Sequence, residues 1–159
     1  MFGVKIRWCS SLTVKSPTFL TENQTITIRV TNNNTQDPDG ACYDETTIDF
    51  VIDEQPIANS IPQQVVCDGD AGDIDGDGIY PFDTSAFTST ILGTQTGMEI
   101  YYAFFDENGI YQFNQSSLPN PLISENQIII VEVVNPNNRS CVATAMINMV
   151  VNPLPDFTV

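Results

Sequence analysis

The sequence contains a partial copy of itself. Phe19-Leu20-Thr21-Glu22-Asn23-Gln24-Thr25-Ile26-Thr27-Ile28-Arg29-Val30 aligns on Leu122-Ile123-Ser124-Glu125-Asn126-Gln127-Ile128-Ile129-Ile130-Val131-Glu132-Val133 at an offset of 103. After a loop four residues shorter, Cys42 falls on Cys141, Ile48 on Ile147 and Pro56 on Pro155. Any two antiparallel hairpins alternate alike, so the weight rests on the shared GluAsnGln, Cys and Pro at consistent offsets. Val4-Lys5-Ile6-Arg7-Trp8 aligns further on Met98-Glu99-Ile100-Tyr101-Tyr102. The chain is therefore expected to start inside one repeat (1–57), run through a complete copy (58–155) and open a further linker or module at 156–159. Glu54-Gln55-Pro56-Ile57 and Asn152-Pro153-Leu154-Pro155 read as joints, because proline stiffens a linker and stops a sheet from continuing.

The repeat unit is β material. Ile26, Ile28 and Val30 alternate with polar residues, as do 46–52, 98–105, 127–134 and 144–151. Ile and Val together number 30 against 6 Leu, with 16 Thr and 14 Asn, a strand-and-turn composition. Asn32-Asn33-Asn34, Asp37-Pro38-Asp39-Gly40 and Asn135-Pro136-Asn137-Asn138 supply loops. A turn or two of helix is expected near Thr84–Leu92, ended by Gly93. With 42% hydrophobic residues the chain can build a core, and no apolar run approaches the roughly 20 residues that span a bilayer.

Charge removes whole classes of function. Twenty acidic residues against five basic ones repel phosphate backbones and anionic membranes, so neither nucleic acid nor membrane insertion is expected. With no histidine there is no Ser-His-Asp or Cys-His pair and no imidazole metal ligand. Carboxylate chemistry survives.

The acidic residues concentrate in Cys67-Asp68-Gly69-Asp70-Ala71-Gly72-Asp73-Ile74-Asp75-Gly76-Asp77-Gly78-Ile79. Asp73, Asp75 and Asp77 occupy positions 1, 3 and 5 of a DxDxDG loop, with Gly78 at the turn and the Ile79 carbonyl at position 7. Carboxylates so spaced converge on one hard cation and repel one another without it. Position 12 is Thr84 where an EF-hand has glutamate; Asp83, one place early, is the expected substitute, with Asp68 and Asp70 as further ligands or holders of a second ion. Calcium suits such an irregular loop better than magnesium, and a structural role is expected.

None of the four cysteines forms a CxxC pair, which disfavours zinc. A Cys67–Cys141 disulfide would close a loop of about 75 residues and contribute roughly 4 kcal/mol. Cys9 and Cys42 either pair or stay free, and the even count fits an oxidising, extracellular setting.

Two weaker constellations remain. Glu99, Asp106, Glu107, Glu125 and Glu132 could in principle supply the carboxylate pair of a small hydrolase, but nothing in their spacing singles out two of them, and Asp106-Glu107-Asn108-Gly109 reads as a hairpin turn. Tyr101, Tyr102, Phe104, Phe105, Tyr111 and Phe113 form an aromatic hairpin; alternation exposes one of each neighbouring pair, so Tyr101 or Tyr111 could stack on a sugar.

ValValCysAsp at 65–68, the acidic loop ending in GlyIleTyrProPheAsp, IleLeuGlyThrGlnThrGly at 91–97, SerCysValAlaThr at 140–144 and ValValAsnProLeuPro at 150–155, in this order, resemble the tandem repeats of very large cell-surface adhesins of gliding Bacteroidota. The resemblance implies export by the type IX secretion system. It implies an immunoglobulin-like antiparallel β-sandwich module of about seven strands, used repeatedly in a stalk or adhesive array without catalysis. Expected partners are neighbouring repeats and, beyond them, surface glycans or other cells. An unpaired edge in the partial repeat also predicts a strand-exchange dimer.

Overall fold

The computed structural model describes residues 21–32, 40–70 and 76–155 in full and residues 4–9 by their backbone. The chain divides into two compact units, Met1–Glu54 and Gln55–Val159, and both are built from β-sheet.

Among the described residues the first unit has three strands, β1 (Val4–Cys9), β2 (Gln24–Asn32) and β3 (Cys42–Asp53), in the order β1-β3-β2. β2 runs antiparallel to β3 and β1 runs parallel to it. The second unit contains β4 (Gln64–Cys67), β5 (Tyr80–Phe82), the helix α1 (Phe87–Leu92), β6 (Glu99–Phe105), β7 (Tyr111–Gln115), β8 (Leu122–Ser124), β9 (Gln127–Asn135) and β10 (Asn138–Asn152). Its larger sheet has the order β4-β10-β9-β6-β7, and β5 and β8 pair as a second, smaller sheet. This is an all-β sandwich, and the seven strands among its described residues match the expected number.

Alternation decides which face is buried. Ile129, Val131 and Val133 of β9, Ile147, Met149 and Val151 of β10, and Ile100, Tyr102 and Phe104 of β6 point into one core. Phe82 of β5, Leu122 of β8 and Phe87 and Ile91 of α1 close it from the other side. Burying tyrosine is tolerable when its hydroxyl finds a partner, and Tyr102 shares a 2.8 Å hydrogen bond with Thr88 of α1. The helix stops at Gly93, where φ is 58° and a Cβ would come within 2.9 Å of Asn59 Nδ2.

The order β1-β3-β2 reproduces β4-β10-β9, with the same mixture of one parallel and one antiparallel pairing. The shared GluAsnGln has a physical role in both copies. Asn23 Oδ1 accepts the Ile52 amide at 2.6 Å, and Asn126 Oδ1 accepts the Val151 amide at 2.6 Å. Gln24 donates through its side-chain amide to the Thr21 hydroxyl, and Gln127 donates likewise to Ser124. One asparagine thus ties the start of a strand to the end of its neighbour, and the following glutamine braces the turn that leads in.

One expected correspondence is corrected. Val4–Trp8 is not the counterpart of Met98–Tyr102: β6 lies antiparallel beside β9, whereas β1 lies parallel beside β3, in the place that β4 takes beside β10. Short strands of similar alternation carry no mark of direction or neighbour. The register has a consequence for the cysteines. Cys9 faces Asp53 and Cys67 faces Asn152, and Asp53 and Asn152 are themselves equivalent in the repeat, so Cys9 is the counterpart of Cys67.

Candidate functional site

β4 ends where the acidic loop begins. The Asp68 amide donates to the Asn152 carbonyl at 2.9 Å, extending the β4–β10 pairing by one step and drawing the side chain inward. Asp68 is only 3% exposed. Its Oδ2 accepts the Gly78 amide at 3.0 Å, which closes the loop on itself, while its Oδ1 has no hydrogen-bond partner among the described residues. Asp70 Oδ2 accepts the Cys67 amide at 3.0 Å and Asp77 Oδ1 accepts the Ile79 amide at 2.9 Å. Gly76 and Gly78 carry φ values of 82° and 74°, left-handed conformations that favour glycine. Asp73 and Asp75 lie outside the described residues, and among the described residues no three acidic or cysteine side chains cluster as a metal set.

Asp83 is placed elsewhere. β5 intervenes, carrying it about 13 Å of extended chain from Ile79, and its Oδ1 accepts the Ser85 amide at the approach to α1. Hydrogen bonding from Ser85 holds this carboxyl below the usual carboxylate range. Thr84 is likewise spent on the second layer: its amide donates to Asn120 Oδ1 and its hydroxyl to the Pro119 carbonyl.

The cysteines require a correction. Cys141 is fully buried and disulfide-bonded, but Cys67 is an exposed free thiol, so the expected Cys67–Cys141 bridge is not formed. The register explains it. Cys67 stands opposite Asn152, eleven residues along β10 from Cys141, which is about 36 Å of extended strand. A disulfide needs Cα atoms within about 7 Å. Spacing in the sequence suggested a loop closure; the parallel β4–β10 pairing puts the two sulfurs at opposite ends of one strand. The Cys9 side chain lies outside the described residues, and Cys42 is exposed at the start of β3.

The aromatic hairpin separates by face. Tyr102 and Phe104 are in the core, while Phe105, Tyr111 and Phe113 are 48%, 50% and 64% exposed. Phe105 and Tyr111 are register partners with ring centroids 5.2 Å apart, and Tyr101, Tyr111 and Phe113 line one shallow groove with Glu132. The nearby carboxylates have structural partners. Glu99 Oε2 accepts the Tyr101 hydroxyl at 2.8 Å and pairs with Arg139 at 2.9 Å. Asp106 accepts the Ile110 and Asn108 amides and the Gln112 side chain, and these bonds, with the Ile110 amide foremost, hold it below the usual range. Glu107, Glu125 and Glu132 are exposed.

The burial of Asp68 and the pairing of Cys9 with the β4 position were the features that sequence reasoning weighted least. A cysteine closing a short strand in both Ile6-Arg7-Trp8-Cys9 and Gln64-Val65-Val66-Cys67 was the available signal for the second.

Among the described residues no helix is long and apolar enough to cross a membrane. No curated protein matches the chain. A family model, the Flavobacterium inter-domain disulphide bond domain, matches residues 63–155, which is 93 of the 159 residues and spans β4 to the end of β10. That match is consistent with an extracellular or periplasmic module of Bacteroidota origin, and with the oxidised state of Cys141. On a match of this extent, ending at the same proline joint that the repeat marks, the chain belongs to the Flavobacterium inter-domain disulphide bond domain family.

Proposed function

We propose that this chain is a non-catalytic link in an extracellular array of β modules, a calcium-stabilised repeat of a cell-surface adhesin exported by type IX secretion, in which disulfides staple successive modules. The observation that carries the reading is Cys141: it is buried and disulfide-bonded, yet the other cysteine of its module lies a strand's length away. The family description, an inter-domain disulphide, supports a partner in another module.

Chain connectivity favours Cys9 as that partner. Cys9 is in register with Asp53, and only Glu54 separates Asp53 from Gln55, whose side-chain amide donates to the Val142 carbonyl at 2.9 Å, next to Cys141. Cys42 begins β3 eleven residues before Asp53, about 36 Å from that end of the strand. Because Cys9 is the counterpart of Cys67 and Cys42 that of Cys141, the same rule repeated gives each module two ends: a Cys67-type thiol for the module after it and a Cys141-type thiol for the one before. Exposed Cys67 then awaits the following repeat. Peptide mapping of the non-reduced chain should yield a linked pair containing Cys9 and Cys141. Recovery of Cys141 linked to Cys67 would refute the staple, and a link to Cys42 would refute the choice of Cys9.

A second reading, carbohydrate binding, is favoured by one observation: Phe105, Tyr111 and Phe113 are exposed on one hairpin, beside the half-exposed Tyr101. Such aromatic platforms stack on sugar faces. A glycan array is expected to show binding lowered at least tenfold in Tyr111→Ala, a loss of about 1.4 kcal/mol. An array blank for the unaltered chain removes this reading.

A further inference from the structure

We propose that the groove between Glu132, Tyr101 and the outer edge strand β7 binds a sugar carrying a free amine, with Glu132 as the residue that selects the amine. The inference rests on the carbohydrate reading above and names its ligand class.

Strand register builds the groove. β9 sets Ile130 opposite Ala103 and Glu132 opposite Tyr101 of β6, and residues directly opposite one another share a face of the sheet. On the other flank of β6, Phe105 is opposite Tyr111, and Phe113, two residues further on, joins Tyr111 in the same lining. Tyr102 pairs with Gln115 and Phe104 with Gln112, so three residues of β7 are spent against two of β6. The extra residue is a bulge, which re-aims the side chains beside it. Asn114 lies within it with φ of 53°, the only left-handed non-glycine residue among the described residues. Ala103 stands between the bulkier Tyr101 and Phe105 in its row, and its small side chain leaves a hollow of about 220 Å³ walled by Tyr101, Tyr111, Phe113, Asn114 and Glu132. Pockets for drug-sized ligands start near 300 Å³. A hollow of this size suits one ring of a chain that continues along the surface.

Its chemistry is aromatic with a single charge. The Tyr101 ring is steadied by the 2.8 Å bond from its hydroxyl to Glu99, which is itself paired with Arg139. Glu132 is the one ionised side chain of the lining, and it is exposed, with no hydrogen bond or ion pair among the described residues. Steadied rings stack on the apolar face of a sugar and also attract a cation. A carboxylate beside them adds a charge-assisted hydrogen bond to an ammonium group.

The charge of the module rules on the alternatives. Gln55–Val159 contains twelve acidic side chains and one basic one, Arg139, already engaged with Glu99. Uronic or sulfated sugars meet repulsion there, and so does a second copy of this acidic chain. A neutral sugar stacks but leaves Glu132 without a counter-charge. A protonated amine on the ring uses both features of the groove.

The test is calorimetric titration of the full chain at about pH 6, where such an amine is protonated and glutamate ionised. The probes are the β-1,4-linked trimer of glucosamine, its N-acetylated form and trigalacturonate. The glucosamine trimer should bind at least about tenfold tighter than the acetylated one, and trigalacturonate should not bind. Glu132→Gln, at an exposed position, should bring the glucosamine trimer down to the affinity of the acetylated one and leave the latter unchanged. Tyr111→Ala should weaken both, and Glu107→Gln, an exposed acid outside the hollow, should weaken neither. If the acetylated trimer binds and Glu132→Gln alters no preference, amine selection is wrong and the carbohydrate reading stands. If Glu107→Gln costs as much as Glu132→Gln, or trilysine binds as tightly as the glucosamine trimer, the attraction is the general field of an acidic module and the proposal falls. If no trimer binds and the glycan array is blank, both readings fall together.

Discussion

Ile129→Ala should destabilise the second module by about 2–5 kcal/mol, the largest effect expected of any single core truncation on β9. Ile129 has no exposed surface and lies in the central strand of the larger sheet, between β10 and β6. The repeat supplies an internal control. Val133 and Val30 are the same residue at the same place in the two copies, but Val133 is fully buried and Val30 is 71% exposed. Val131 and its counterpart Ile28 differ likewise, 0% against 40%. In the second unit β9 is flanked by β6 and covered by α1 and the β5-β8 pair, whereas β2 is the outermost strand of a three-stranded sheet among the described residues. Val30→Ala should therefore change stability by less than about 0.5 kcal/mol. Urea unfolding followed by tryptophan-independent far-UV dichroism would measure each variant. Equal losses at Val30 and Val133 would mean that the first unit has a covering layer of its own.

The same comparison shows what a sequence of this type discloses. The strands of the repeat were legible because alternation of Ile and Val with Thr, Asn and Glu follows directly from one buried and one wet face. Glu54-Gln55-Pro56-Ile57 reads as a joint because proline cannot donate to a ladder. GluAsnGln was visible as a repeated word but not as a device; its meaning is a long-range bond, Asn23 to Ile52 and Asn126 to Val151, that only pairing of the strands creates. Strand direction escaped altogether. Val4–Trp8 alternates as an antiparallel strand would, and its parallel place beside β3 depends on where the chain crosses over, not on the residues themselves. That omission led directly to the mistaken Cys67–Cys141 bridge, because the separation of those cysteines is set by the parallel register of β4 on β10. In the acidic loop, the DxDxDG spacing drew attention to Asp73, Asp75 and Asp77, but the buried orphan oxygen belongs to Asp68, whose inward turn is imposed by its bond to the end of β10.

Cys9→Ser is expected to uncouple the two units. A Cys9–Cys141 bond closes 133 residues of chain, from Cys9 through Cys141, and constraining the unfolded chain over that length is worth about 5 kcal/mol in the loop-entropy account. The described strands of the first unit form one sheet with Val30, Tyr43 and Ile28 in solvent, and such a sheet offers less buried apolar surface than the second unit's core. The second unit keeps its core, since Phe82, Phe87, Tyr102 and Ile129 come from its own strands and helix. The oxidised chain should thus unfold as one cooperative transition, and Cys9→Ser should split it into a weak early transition from the first unit and a later one from the second. Substituting Cys9 avoids disturbing the core, whereas Cys141→Ser would leave a buried hydroxyl and a separate cost of about 1–3 kcal/mol. Cys141→Ala, which removes the sulfur without adding a polar group, should reproduce the split, and Cys67→Ser, at an exposed free thiol, should not. Differential scanning calorimetry resolves the transitions directly. A single unshifted transition in Cys9→Ser would show that the bond at Cys141 does not carry load between these modules.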